Sequence, residues 1–209
     1  MSIIDWPLDL PVRSQDFGVD HFDLDFTNND TGSGQVAVLG PRRMTCAMTS
    51  EDAVSPERAA RWRSLIFALA GRVNQVAIWD VLHPAPRGTV RGLLTAAQPA
   101  AAGATTLHIN AGPGQVGRTL LQGDWIGVHQ ASADVSRQLL HVQTNAVVDA
   151  QGLIVVQIGV PLRVTLPASS PIAWERPTCL MRQTTTNNKW TSQRAGQSGF
   201  SMDLRERWE

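Results

Sequence analysis

Residues 55–80, SPERAARWRSLIFALAGRVNQVAIWD, constrain the fold more than any other stretch. They hold the one strong helix signal of the chain and run straight into a strand. Ser55 can cap the first turn, because its side-chain oxygen can accept a bond from an orphan backbone N–H. Pro56 then falls at the first helical position, where its missing N–H costs nothing. Trp62, Leu65, Ile66 and Leu69 recur at i, i+3, i+4 and i+7 and make one apolar stripe. Arg58, Arg61 and Arg63 lie off that stripe, and Gly71 follows its last member, where a left-handed residue can end a helix. The spacing predicts a helix over 56–70, with Val76, Ile78 and Trp79 opening a strand. It describes a helix packed on a sheet, not an active-site motif.

Composition sets the outer limits. The 209 residues suit one ordinary domain or two small ones, and 43% hydrophobic content supports a real core. Eighteen basic residues balance eighteen acidic ones, which argues against a nucleic-acid binder, whose affinity comes from clustered cations on phosphates. Near-neutral surfaces of low charge also tend to associate. Lys189 is the lone lysine, and tryptophan occurs seven times. Arginine and tryptophan both favour protein interfaces, although a GC-rich genome also produces an arginine bias. Cys46 and Cys179 are far apart and sit in apolar runs, so buried free thiols are expected, with a disulfide left open. The N-terminal MSIIDWPLDL has no basic region and no continuous apolar core, so no signal peptide is expected. Nothing approaches the roughly 18 uninterrupted apolar residues of a membrane helix. The expected product is soluble and made in the cytoplasm.

In chain order, Trp6–Pro11 reads as an extended arm, because its two prolines oppose helix and ladder pairing. Such an arm either packs back on its own domain or reaches a neighbour, and the neighbour is the reading favoured here. Residues 21–26 alternate with period two, placing Phe22, Leu24 and Phe26 on one face. NNDTGSG at 28–34 makes a turn, 35–39 the returning strand, and Met44, Cys46 and Met48 a third strand. After Asp80 the texture changes to short strands at 105–110, 124–129, 137–144 and 153–158, separated by Gly/Asp turns, a pattern that suggests a small barrel. Strands at 172–175, 179–183 and 200–204 are expected to complete the first sheet. Residues 184–199 form a Thr/Asn/Gly/Ser-rich loop long enough to be mobile or a binding tip. The predicted fold is mainly β with one principal helix: a ring-forming β-sheet or sandwich domain over 1–91 and 164–209, and a small β-barrel inserted at 92–163.

Chemistry-bearing motifs are sparse. Gly112-Pro-Gly-Gln-Val-Gly117 spells G-x-G-x-x-G, but 118–123 is too short for the helix that would aim its N–H groups at a pyrophosphate. It reads as a loop. His21, His83, His108, His129 and His141 show no i, i+4 pair; only the three in barrel strands, His108, His129 and His141, could approach one another as metal ligands. Asp20, Asp23 and Asp25 read as a solvated acidic edge, because a calcium site needs more oxygens on a looped backbone. No nucleophile elbow is present. The expectation is no catalytic set, no cofactor and no resident metal.

A string of motifs does carry a resemblance. Arg61-Trp62, Leu69-Ala-Gly-Arg-Val-Asn74, Trp79-Asp80 and Arg87-Gly88 resemble a pattern of tail proteins from tailed bacteriophages and gene transfer agents. Leu121-Gln-Gly-Asp-Trp-Ile126, the strand at 139–142, Asp149-Ala-Gln-Gly152, Pro161-Leu-Arg163 and 172–180 with Glu175-Arg-Pro177 are similar to the second half of the same proteins. Ala70-Gly71-Arg72 stands where the family favours Arg-Gly-Arg, and His141 where an aromatic such as Tyr is common. The resemblance implies a distal-tail or baseplate protein of the virion tail tip. Such a protein forms a homo-oligomeric ring, expected here as a hexamer, that joins the tail tube to the baseplate hub and to tail fibres or receptor-binding proteins. Head-to-tail contacts between identical subunits close naturally into rings. Trp6, Arg72, Trp79 and Arg87 are the candidate subunit contacts, and Trp125 and Trp190 the candidate ligand or partner contacts.

Two other classes stay open. In one, the inserted barrel is a carbohydrate- or receptor-binding module with an exposed Trp125. In the other, the barrel histidines serve a small metal-dependent hydrolase.

Overall fold

The helix forms at Pro56–Leu69 in the computed structural model, which describes residues 2–10, 12–27, 33–51, 54–186, 190–193 and 196–207. Ser55 caps it by accepting the Arg58 N–H, and the expected stripe of Trp62, Leu65, Ile66 and Leu69 is buried together with Ala59. The helix ends one residue before the expected glycine. Ala70 takes the left-handed conformation at φ 48°, and Gly71 follows at φ 66°. Asn74 steadies this exit: its amide donates to the Ala68 carbonyl (2.8 Å) while its oxygen accepts the Ser2 N–H (2.9 Å).

The chain is mainly β, with several sheets and, among the described residues, one α-helix. Six strands form the largest sheet in the order Ile3–Asp5, Gln75–Ile78, Cys179–Gln183, Ser201–Glu206, Gly34–Thr49, Ser14–Thr27. Ile3–Asp5 runs parallel to Gln75–Ile78, and the later pairs are antiparallel. The strands expected at 35–39 and around Met44–Met48 are one continuous strand. Pro41 is tolerated inside it because the pairing slips there: Asp20 faces Arg43 and Phe22 faces Gly40, so 41 and 42 stand outside the ladder. The result is a long ribbon whose outer part, residues 22–27 with 34–40, projects beyond the buried part of the sheet.

An aromatic stack fills the first core. Trp6 meets Trp62 edge-on (centroids 5.5 Å apart), Trp62 stacks on Phe200 (5.7 Å), and Phe200 on Trp190 (6.2 Å), which in turn meets Phe67 (6.5 Å). Met44, Cys46, Met48, Ile78, Cys179 and Leu204 close around it. The N-terminal arm therefore packs back on its own chain, correcting the expectation that Trp6 reaches a neighbour: Trp6 is 4% exposed. An Arg61–Asp9 ion pair ties the arm to the helix. Within the 184–199 loop, Thr191–Gln193 pairs with Gly196–Ser198, and Trp190 anchors the near end; 187–189 and 194–195 lie outside the described residues. Both cysteines are free and buried, and burial pushes the Cys46 thiol up to about 12.

A second, separate core runs from Val90 to Ile172 and includes Leu107, Ile109, Ile126, Leu140, Ile154 and Val156. Around it lie the sheet Leu153–Gln157, Thr106–Asn110, Leu94–Ala96, Pro171–Ile172 and the ribbons Trp125–Val128 with Gln138–His141 and Thr119–Leu120 with Ala146–Val147. Pro171–Ile172 pairs here with Leu94–Ala96, not in the first sheet where sequence placed it. Isolated bridges Gly127–Ala173 and Val142–Ile158 link the four-stranded sheet to the first of these ribbons. At the Asp149–Gly152 turn, Gly152 is required twice over, by its φ of 80° and because a Cβ there would sit 2.6 Å from the Gly112 carbonyl carbon.

Because Trp6 is an integral part of the first core, Trp6→Ala is expected to cost about 3–5 kcal/mol of unfolding free energy. Denaturant unfolding checks this; an unchanged midpoint places the arm outside the core.

Candidate functional site

Several of the motifs that carried the resemblance, Trp79-Asp80, Arg87-Gly88, Asp124-Trp125 and Arg163, meet where the two cores join. Asp124, 2% exposed, accepts backbone N–H bonds from Leu121 (2.7 Å), Arg87 (2.8 Å) and Gly88 (3.1 Å), and the Arg87 Nε lies 3.7 Å away. Gly88 must lack a side chain, because a Cβ there would lie 2.8 Å from the Leu120 Cα. Asp80 accepts the Trp125 indole N–H (3.3 Å) and contacts the His83 ring nitrogen at 2.8 Å. Gln15 of the long ribbon brackets the same turn, donating to the Trp79 carbonyl (2.9 Å) and accepting the Val81 N–H (2.8 Å). On the other side, Arg163 grips Glu206 with two bonds of 2.5 and 2.6 Å, and Glu206 also accepts the Met44 N–H at 2.9 Å. Arg137, 6% exposed, donates to Asp5 at 3.1 Å. Buried charges at this density are each answered by an opposite charge or by backbone N–H groups, which is what permits burial.

These contacts explain the motifs as joints. Asp124 holds the Arg-Gly turn, Trp125 is held by Asp80, and Arg163 of the Pro-Leu-Arg segment reaches the first sheet. Between the cores runs a groove of about 320 Å³ lined in part by Phe17, Val19, Met44, Trp125, Leu139 and His141. Trp125 sits half-buried, tilted against Phe17 (centroids 6.4 Å) and edge-on to His141 (4.8 Å). Burial lowers the pKa of His141 from its ordinary 6.5, with the Asp124 charge acting the other way.

The six candidate residues fall in three places. Trp6 and Trp190 belong to the aromatic stack, while Trp79, Arg87 and Trp125 belong to the joint between the cores. Arg72 is exposed and donates to the Thr184 carbonyl at the rim of a different feature. That feature is a pocket of about 280 Å³ lined by Arg43, Arg72, Arg182, Arg205 and Arg207 with Glu206. Arg43 and Arg205 both lie over the Phe22 ring, at 5.4 and 4.9 Å, and Arg205 pairs with Asp20 at 2.6 Å. Arg205 is paired with Asp20 and Glu206 with Arg163, so the anion-seeking part of this face is the exposed Arg72 and Arg207 at its rim.

Sequence reasoning missed the projecting ribbon. Phe22, Leu24 and Phe26 read as one apolar face, and in the structure Leu24 is 48% and Phe26 57% exposed. The opposite face is no more polar: Asp23 pairs with Val38 and Asp25 with Val36, and those valines are 80% and 60% exposed. The signal was present in the returning strand, since an apolar set on both faces fits a ribbon covered on both sides.

Gly112–Gly117 holds a single 3₁₀ turn, Pro113–Gln115, with no α-helix behind it. His108 faces Val155, His129 lies 3.6 Å from Asp134, and His141 meets Trp125 edge-on; the three are not brought together. Among the described residues no group of three or more His, Cys, Asp or Glu side chains could hold a metal ion, and no helix is long and apolar enough to cross a membrane. Compared with known protein families the chain matches none, and no curated protein matches it in sequence.

The Arg163–Glu206 pair yields a direct test. Arg163→Ala strands a carboxylate that is 1% exposed and is expected to cost about 3–5 kcal/mol. Replacing both residues with Met and Leu is expected to cost less than Arg163→Ala alone. Equal losses in denaturant unfolding contradict the pairing.

Proposed function

We propose that this chain is a structural subunit of a phage-like tail tip, a distal-tail or baseplate ring component that joins the tail tube to the hub and to receptor-binding fibres. The observation that carries the reading is the projecting ribbon, which exposes Leu24, Phe26, Val36, Val38 and Leu39 to solvent on two faces. A two-stranded ribbon is marginal alone in water, and apolar residues displayed this way mark a surface that is covered on assembly. The joint between the cores supports the same role. A subunit that transmits load needs its two parts fixed to one another, and buried carboxylates and arginines do that here.

In this reading the first core and its six-stranded sheet form the ring, with six copies around a central channel. The second core is a small barrel facing outward. Its strands support that picture: the circuit Trp125–Val128, Gln138–His141, Leu153–Gln157, Thr106–Asn110, Leu94–Ala96, Pro171–Ile172 is completed by the Val142–Ile158 and Gly127–Ala173 bridges. The protein would be made in the bacterial host cytoplasm and act in the virion without cofactor or catalysis. Trp125 speaks against the glycan-binding reading, because it is half-buried, its indole N–H is bonded to Asp80, and Phe17 and His141 lie against its ring.

Negative-stain electron microscopy of the purified protein, with its solution mass, tests the proposal. Closed rings with an open centre are expected; a uniform monomer at every concentration contradicts it.

A further inference from the structure

We propose that the ring is held by an arm-and-seat contact in which the acidic face of one copy's projecting ribbon lies on the arginine pocket of the next copy. The inference rests on the ring reading above and names the surfaces that make it. The arm is residues 22–27 and 34–40. Its described residues include Asp23 and Asp25 and no lysine or arginine. Both acids are exposed, and their cross-strand partners Val38 and Val36 share their face. The seat is the pocket of five arginines and Glu206. Glu206 is already committed to Arg163 and the Met44 N–H, so it does not cancel the seat's charge toward an incoming group.

The two surfaces also lie on opposite sides of the sheet. Asp20 shares its face with Arg43, and Arg205 pairs with Asp20 on that face. Phe22, under Arg43 and Arg205, is on that face too, so Asp23, next along the strand, points the other way. Val38, on the Asp23 face, lines a cleft with Pro161, Leu162 and Arg163 on the side of the second core. A single copy therefore presents its seat on one side and its acidic arm face on the other. Identical copies shingled one over the next bring the two together, a head-to-tail contact that closes into a ring when the rotation allows. Five steps along the outer strand of the arm span roughly 17 Å. The contact joins opposite charges around an apolar centre of valines, the arrangement of a charged rim with a desolvated middle.

The other occupants of the seat are a free inorganic anion or an acidic segment of a different protein. Charge reversal separates them. Asp23→Arg with Asp25→Arg makes the arm basic, and Arg72→Glu with Arg207→Glu makes the rim of the seat acidic; all four residues are exposed. Sedimentation velocity at low salt, with circular dichroism as a check of folding, is read for wild type, the two double variants and the quadruple variant. Each double variant is expected to need at least about tenfold more protein for half-assembly, since mismatched charges across an interface oppose association. The quadruple variant, whose arm and seat are both reversed, is expected to recover assembly, which neither a free anion nor a foreign segment would produce. Rings from both double variants at the wild-type concentration, or a folded quadruple variant that stays dissociated, overturn the arm-and-seat contact while leaving the ring standing. A wild type that remains monomeric at every concentration overturns the contact and the ring together.

Discussion

Glu206 sits almost fully buried on a central strand of the first sheet, gripped by Arg163 from the far end of the second core and by the Met44 N–H from the neighbouring strand. Three distant parts of the chain are thereby fixed at one carboxylate. Taking such a pair out of water costs several kcal/mol per ion, and only good geometry with further hydrogen bonds offsets it. The paired carboxylate and guanidinium supply that geometry, and the backbone N–H supplies the remaining bond. Asp124 plays the same part across the joint with three backbone donors.

Much of the local structure was legible in the sequence because it is set by local chemistry. The Ser55 cap, the Pro56 start and the Trp62–Leu69 stripe are short-range signals, and each is realised in the helix. The short strands near 106–110, 125–128, 138–141 and 153–157 followed from alternation and turn residues in the same way. What escaped was decided at long range. The Trp6 arm packs inward because Trp62 and Phe200 offer an aromatic slot, which no local pattern announces. The separate strands expected at 35–39 and around Met44–Met48 are one, because a slip in register absorbs Pro41. Pro171–Ile172 joined the second core because Leu94–Ala96, a strand too short to recognise, was waiting for a partner.

The candidate contacts show the same division. Arg87 and Trp125, candidate contacts in the sequence, bond to Asp124 and Asp80 at the joint, and the Trp79 carbonyl accepts from Gln15 of the first sheet. The surfaces that the proposed contact uses are the exposed ribbon and the rim of the arginine pocket, of which Arg72 alone was a contact candidate in the sequence. Arginines that look alike in a sequence divide here into buried clamps such as Arg137 and Arg163 and an exposed seat at Arg72 and Arg207. Burial separates these roles, and burial is a property of the whole fold.

The claim at the centre of this account is that the ribbon is an assembly arm, ordered and covered by a second copy. Hydrogen–deuterium exchange across residues 22–27 and 34–40, compared between dilute and concentrated protein, tests it most directly. The account predicts fast exchange in dilute protein and marked protection on concentration, confined to the ribbon and the seat around Arg72 and Arg207. Equal, fast exchange at both concentrations in a sample that forms rings would contradict it.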